Sequence, residues 1–233
     1  MELSSEFEKE KASAEIIHFL KLQIKDKTHM IVTCLDLEGV LVPEIWIALA
    51  EKTGIEELKL TTRDIPDYNK LMQGRLKILD ENNLKLSDIE KVIDNIVPLP
   101  GAKEFLYWLE SKFQVIILSD TFNQFAGPLM AQLDYPTLFC HDLVVNKDGR
   151  ITNYRLRIPD AKTKAVSALK GINLKVIAAG DSYNDTGMLQ EAEAGILFRA
   201  PGQVAKEFPQ FPVTQTYEEF KTEVLKASNK LGD

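Results

Sequence analysis

Cysteine is scarce in this chain: Cys34 and Cys140 are the only two. One lies inside an apolar run and the other at the end of a second, the setting of buried, reduced thiols rather than of a disulfide framework. With no secretory signal in the sequence either, a reducing cytoplasm is the expected compartment. Long apolar runs are missing too. No segment approaches the ~18 uninterrupted apolar residues of a membrane-spanning helix, so none is expected to cross a membrane. Positive charge is in deficit, with 28 Lys and Arg against 35 Asp and Glu and a formal net charge of −7. A nucleic-acid binder would show a basic patch, so nucleic acid is not an expected partner. The deficit leaves phosphate chemistry open, because a divalent metal can supply the local positive charge. The sequence holds no internal repeat, no low-complexity segment and no G-x-S-x-G elbow of a serine hydrolase. A small-molecule substrate is expected, with the assembly either a monomer or a homodimer.

Hydrophobic residues make up 45% of the 233 positions and charged residues 27%, ordinary globular proportions that allow a full core. The length fits one large domain, or one domain with a small insertion. Three runs rich in β-branched residues, at 30–35, 113–118 and 175–179, read as strands buried on both faces, as a parallel sheet flanked by helices requires. Each run leads into a polar string: Asp36-Leu37-Glu38-Gly39-Val40, Ser119-Asp120-Thr121, and Gly180-Asp181-Ser182-Tyr183-Asn184-Asp185. In such sheets the ligand sits beyond the carboxyl ends of the strands. The expected fold is therefore α/β, a doubly wound, mainly parallel, Rossmann-like sheet with its acids gathered at one edge.

Residues 1–28 place Ile16, Ile17, Leu20 and Ile24 at helical spacing among mixed charges and are expected to form an N-terminal helical extension. The core is expected at 29–43 and 99–233. Between them, 44–98 shows no strand pattern and reads as a small helical insertion. Its helices are expected at 45–52, ending at Gly54, at 67–82 after a turn near Pro66, and from Ser87 as N-cap to about 97, with Asp88 and Glu90 in the first turn. Beyond Pro100-Gly101 the pattern gives a helix to 112, the second strand, and a helix at 122–133. Asp148-Gly149 between β-rich runs at 143–146 and 151–156 predicts a hairpin. A helix at 161–170, the third strand, a helix at 185–193, a short strand at 195–198, a proline-punctuated loop region and a helix at 217–230 complete the order.

Asp36 and Glu38, two apart at a strand end, can both face one side. One ionised carboxylate can attack or bind a metal while the other carries a proton. Gly39 lets the chain approach a ligand. Asp181 and Asp185 bracket further oxygen donors, a set that suits Mg²⁺, which takes one or two carboxylates and keeps waters and substrate oxygens. Ser119 has no base placed for it by sequence and is expected to donate to an anion. Lys162 and Lys164 open a helix, and His141 ends a strand.

Taken in order, D-L-E-G-V, S-D-T, the lysine of A-K-T-K and G-D-S-Y-N-D resemble the motifs of the haloacid dehalogenase superfamily of phosphohydrolases. Within it the sequence is most similar to the phosphoserine phosphatase branch, and there to a bacterial type that joins phosphoserine phosphatase to homoserine phosphotransferase activity. The resemblance runs from about residue 29 to the C-terminus. It implies a Mg²⁺ enzyme of serine and threonine biosynthesis with Asp36 as nucleophile, passing through an aspartyl phosphate, and Glu38 as general acid and base. It implies that Asp36, the carbonyl of Glu38 and Asp181 hold the metal, with Asp185 assisting. Ser119 and the backbone N–H of Asp120 would bind phosphate oxygens, and Lys162, a better match than Lys164, would neutralise charge there. The insertion at 44–98 would be a cap in which Glu44 meets the substrate ammonium and Arg75 its carboxylate, with Asn184 reaching substrate or phosphate.

Two departures stand out. The usual first motif is D-x-D followed by a small residue and Thr, where this chain has Glu38, Gly39 and Val40; the second has Asp120-Thr121 where the phosphoserine phosphatases usually have two glycines. Both agree with the phosphotransferase type. The alternatives are the same chemistry on another small phosphorylated metabolite, and a receiver-type phosphoacceptor domain.

Overall fold

The computed structural model describes residues 30–62, 64–65 and 67–232. The expected extension at 1–28 and the turn at Pro66 lie outside them. Seven strands form one sheet: β1 Met30–Leu35, β2 Gln114–Phe122, β3 Thr137–Val145, β4 Ile151–Arg155, β5 Leu174–Gly180, β6 Ala194–Phe198 and β7 Val213–Thr214, in the order β4-β3-β2-β1-β5-β6-β7. All neighbours pair parallel except β3 with β4. Side chains alternate across a strand, and here the alternation feeds two apolar layers. Val32 and Cys34 of β1 and Val176 and Ala178 of β5 enter one layer, while Leu35, Ile177 and Ala179 enter the other.

The first layer is closed by helices α6 (Ala161–Gly171), α7 (Thr186–Glu191) and α8 (Gly202–Glu207) through Val166, Leu189 and Val204. The opposite layer is closed by α4 (Ala102–Glu110), α5 (Asn123–Gln132) and α9 (Tyr217–Leu231). There Phe105, Phe198, Tyr217 and Phe220 stack with ring centroids 4.6 to 5.2 Å apart. Burying rings of this size contributes on the order of 2–3 kcal/mol each. The Tyr217 hydroxyl, at the buried end of this stack, donates to the carbonyl of Val40 at 2.7 Å, so the stack also fixes the loop that follows β1.

Between β1 and α4 lie α1 (Ile45–Thr53), a 3₁₀ turn at Glu56–Lys59, α2 (Tyr68–Glu81) and α3 (Leu86–Ile93). Helix α1 ends on Gly54 at φ 73°, a conformation that glycine adopts without a Cβ penalty. Helix α3 departs from expectation: its N-cap is Lys85, whose backbone N–H is accepted by Asp88 at 3.1 Å, and Ser87 lies inside the helix. These helices are fastened to the β3–β4 hairpin. Leu86 N–H donates to the Gly149 carbonyl (2.9 Å), Arg150 Nη1 to Asp80 (2.7 Å) and the Tyr154 hydroxyl to Asn69 (2.6 Å).

Further differences from the sequence reading follow from tertiary pairing. β2 does not stop at Leu118 but runs through Ser119-Asp120-Thr121 to Phe122, with a register shift against β3 between Leu118 and Phe122. A bulge of this kind re-aims side chains at a strand end. β3 begins at Thr137 because its first half pairs with β2, and only its second half forms the expected hairpin arm. The region read as loop carries α8 and β7. The helix expected at 185–193 is a 3₁₀ turn at Tyr183–Asp185 followed by α7. Among the described residues, no helix is long and apolar enough to cross a membrane.

Candidate active site

Parallel pairing brings the ends of β1, β2 and β5 to one sheet edge. Asp36 continues the ladder, donating its N–H to the Ala179 carbonyl at 2.9 Å, while its own Oδ1 accepts the Leu37 N–H at 2.8 Å. The chain then turns sharply at Gly39, φ 79°, with the Leu41 and Val42 amides returning to the Leu37 carbonyl at 2.8 and 3.0 Å. A Cβ on Gly39 would stand 2.6 Å from the Asp181 carboxylate. Gly39→Ala is therefore expected to cost about 1–2 kcal/mol in backbone strain and to displace Asp181. Urea denaturation should show the loss, and calorimetry with Mg²⁺ should show weakened binding. Gly180 has the same function: a Cβ there would lie 2.3 Å from the Asp185 side chain.

Lys162, 4% exposed at the start of α6, reaches both acids with Nζ 2.8 Å from Asp36 Oδ1 and 2.8 Å from Asp185 Oδ1, and 3.7 Å from Asp120 Oδ2. Asp185 Oδ2 accepts the N–H groups of Asp181 and Ser182, both at 3.0 Å, and the Ser182 hydroxyl at 3.1 Å. Burial opposes the Lys162 charge, yet Asp185, Asp36 and Asp120 hold its pKa well above the usual lysine value. Burial, then Asp185, pushes the Asp36 carboxyl well above the usual carboxylate range against the pull of Lys162. Carboxylate oxygens of Asp36, Asp181 and Asp185 fall within 4.8 Å of one another, all buried. Three carboxylates, two of them on the Lys162 ammonium, thus form a set of hard oxygen donors. That excess of negative charge fits a divalent cation such as Mg²⁺.

On the helical side, Glu38 Oε2 accepts the Ile45 N–H that opens α1, at 2.8 Å. Burial, then the neighbouring Glu44, pushes its carboxyl up to about 8. Arg75 is buried with its guanidinium 4.4 Å over the Trp46 ring. Its Nη2 donates to the Leu60 carbonyl at 2.9 Å and its Nη1 to Met72 Sδ at 3.8 Å. Its Nε is buried with no hydrogen-bond partner among the described residues, and burial draws its pKa down to about 10.

A cavity of about 90 Å³ separates these two halves, lined by Asp36, Glu38, Glu44, Arg75, Lys162 and Asp181 among others. Beside it a chamber of about 690 Å³ opens, and Asp120, Lys162, Asn184 and Tyr68 face both. Of the residues singled out from sequence, Ser119 and Asp185 do not line the smaller cavity; they are 3% and 0% exposed. Ser119 Oγ accepts the Thr121 N–H at 3.2 Å. Lys164 is exposed, whereas Lys162 is buried. Sequence patterning missed Trp46 beneath Arg75 and Tyr68, whose hydroxyl donates to the Asp120 carbonyl at 3.1 Å. Apolar and aromatic residues at helical spacing carry no signal that separates a site wall from a core.

A carboxyl beside a buried lysine, a second acid able to carry a proton, and an oxygen-donor cluster suit group transfer from a small phosphorylated molecule. Known proteins agree in kind. The chain is 60% identical over 199 residues to a phosphoserine phosphatase of Pseudomonas syringae pv. tomato, covering 85% of this chain and 84% of that protein. It is 61% identical over 201 residues to "Phosphoserine phosphatase ThrH" of Pseudomonas aeruginosa, covering 86% and 98%. A solved "Phospho-Aspartyl Intermediate Analogue of Phosphoserine phosphatase" shares the fold, with a TM-score of 0.64 at 23% identity over 80% of this chain and 93% of that one. The sequence profile of haloacid dehalogenase-like hydrolases matches residues 30–193, and with these acids on this sheet edge the chain belongs to that family of hydrolases.

Proposed function

We propose that the chain is a Mg²⁺-dependent phosphoserine phosphatase working through an aspartyl phosphate and able to pass the phosphoryl group to homoserine as well as to water. The observation that carries the substrate is Arg75: a guanidinium lining the small cavity together with Glu38 and Glu44 suits a carboxylate next to an ammonium. The names of the Pseudomonas relatives support the same substrate.

In this reading Asp36 attacks phosphorus and the bond to the serine oxygen breaks, with Glu38 giving its proton to that oxygen. Glu38 then takes a proton from water or from the homoserine hydroxyl, whose oxygen attacks phosphorus and frees Asp36. Lys162, the Ser119 hydroxyl and the Asp120 N–H bind the phosphoryl oxygens. Glu44 meets the ammonium, Arg75 the carboxylate, and Asn184 the phosphoryl group or substrate. Asp36, Asp181 and the Glu38 carbonyl would hold Mg²⁺, with Asp185 assisting, and the ion would offset phosphoryl charge that Lys162 alone cannot. Residues 44–98 act as a cap on a core of 29–43 and 99–233, with 1–28 as an N-terminal extension, and the site works in the cytoplasm as monomer or homodimer.

Arg75→Ala should lower kcat/KM for phosphoserine by about 10- to 100-fold, the scale of a lost charged hydrogen bond, and change turnover of an aryl phosphate little. Equal losses on both would overturn the amino-acid substrate in favour of another small phosphomonoester. Product analysis with added homoserine should show phosphohomoserine beside free phosphate; phosphate alone would remove the transferase activity.

Glu38→Gln should slow phosphoserine strongly and a phenolate-releasing ester weakly, because only the alkoxide needs a proton. A carboxyl at about 8 in the folded state and near 4.5 unfolded keeps more protons folded than unfolded, so its contribution to stability falls as pH rises between those values. Thermal melts from pH 5 to 8 in chelator should fall more steeply for the parent protein than for Glu38→Gln.

A further inference from the structure

On the side of the larger chamber a chain of hydrogen bonds runs from Asp120 to a buried histidine in the chamber lining. His141 in β3 is 2% exposed. Its Nδ1 accepts the backbone N–H of Arg157 at 3.2 Å, so the proton of the neutral ring sits on Nε2, which lies 3.4 Å from Asp120 Oδ1. The other Asp120 oxygen accepts Asn184 Nδ2 at 3.1 Å and stands 3.7 Å from Lys162 Nζ. Asn184 is itself held, accepting the Ser182 hydroxyl at 2.5 Å.

We propose that His141 is a positioning residue for phosphoryl transfer, holding the Asp120 carboxylate away from Lys162 so that the ammonium stays aligned on Asp36. A carboxylate beside a phosphate site is a competitor for the cation meant for the phosphoryl group. Lys162 already serves Asp36 and Asp185 at 2.8 Å each. A third acid drawn in to that distance would pull Nζ off line, and misplacements near 1 Å at a reacting centre cost about a hundredfold. Two donors prevent this, His141 on one oxygen and Asn184 on the other. Together with Lys162 they keep the Asp120 carboxyl well below the usual carboxylate range although burial opposes it. Without the Nε2–H, Oδ1 loses its side-chain donor, and Lys162, already 3.7 Å from the other oxygen, is the cation that can draw the carboxylate in. The role rests on Asp36 and Lys162 being the phosphoryl-handling pair, and is independent of which phosphomonoester is the substrate.

A double-mutant cycle on the full chain with Mg²⁺ tests it, using phosphoserine and an aryl phosphate in parallel. His141→Phe should lower kcat about tenfold or more on both substrates, with KM within about twofold. In the Asp120→Asn background, where there is no charge to restrain, the same change should alter kcat less than about twofold. Equal losses in both backgrounds would mean that His141 acts only through packing and would overturn the proposal. Should His141→Phe not fold, His141→Gln, which keeps a donor, should retain most of the parent kcat; a loss as large as that of a non-donating His141→Leu would overturn it. Nitrogen NMR of the parent protein should show the Nε2–H tautomer, with the Nε2 signal moving in Asp120→Asn; the Nδ1–H tautomer, or an unmoved signal, would also overturn it. Parent turnover of the aryl phosphate but not of phosphoserine would defeat the substrate assignment alone, and the cycle would still be read on the aryl ester.

Discussion

Asp36→Asn is expected to abolish turnover, by at least about 10⁴-fold on any phosphomonoester, because the amide cannot form the proposed aspartyl phosphate. The fold should survive. Asp36 is one of three buried carboxylates within 4.8 Å, and repulsion among them is part of what pushes its carboxyl upward. Removing one charge relieves that repulsion while the isosteric amide keeps the space filled. Thermal melts in chelator should show no loss relative to the parent. Residual turnover above about one part in a thousand, in protein free of contaminating phosphatase, would refute the nucleophile assignment.

Lys162→Met is expected to have the largest effect on stability. The ammonium is 4% exposed and bridges Asp36 and Asp185 at 2.8 Å, so deleting it leaves two buried carboxylates without their counter-charge. Breaking a buried pair in this way costs about 3–5 kcal/mol, a large share of the stability of most domains. The loss should depend on pH. Without Lys162 the folded acids bind protons more tightly than the unfolded ones, so the variant should gain stability as pH falls toward the carboxylate range and lose it as pH rises. Mg²⁺ should recover part of the deficit at neutral pH through the same acids. A variant as stable as the parent at both pH 5 and pH 8 would contradict this account, and so would one that Mg²⁺ leaves unchanged.

The central strands could be read from sequence because β1 and β5 are apolar on both faces, and their motifs sit where parallel strands must end. Lys162 was separable from Lys164 only through resemblance; the structure adds that one is buried against acids and the other exposed. Other elements left no local trace. The apolar run of β2 stops at Leu118, yet the strand continues through three polar residues to Phe122; Asp120 lines both cavities while Ser119 and Thr121 are buried, so no apolar pattern marks this stretch. β7 has two residues and α8 six, too few for a period to show. His141 and Tyr68 meet Asp120 across 21 and 52 positions. Neither pairing is written in any local pattern, and the histidine taken alone reads as an ordinary strand-end residue.

The fastening of the helical insertion to the β3–β4 hairpin sets the unit in which this enzyme can be recombined. Leu86 to Gly149, Asp80 to Arg150 and Asn69 to Tyr154 join two stretches of chain that are far apart in sequence. A chimera that imports only residues 44–98 from a relative would strand the Gly149 carbonyl, the Arg150 guanidinium and the Tyr154 hydroxyl against foreign surfaces. The insertion and the hairpin are therefore to be transplanted together, as a pair of segments.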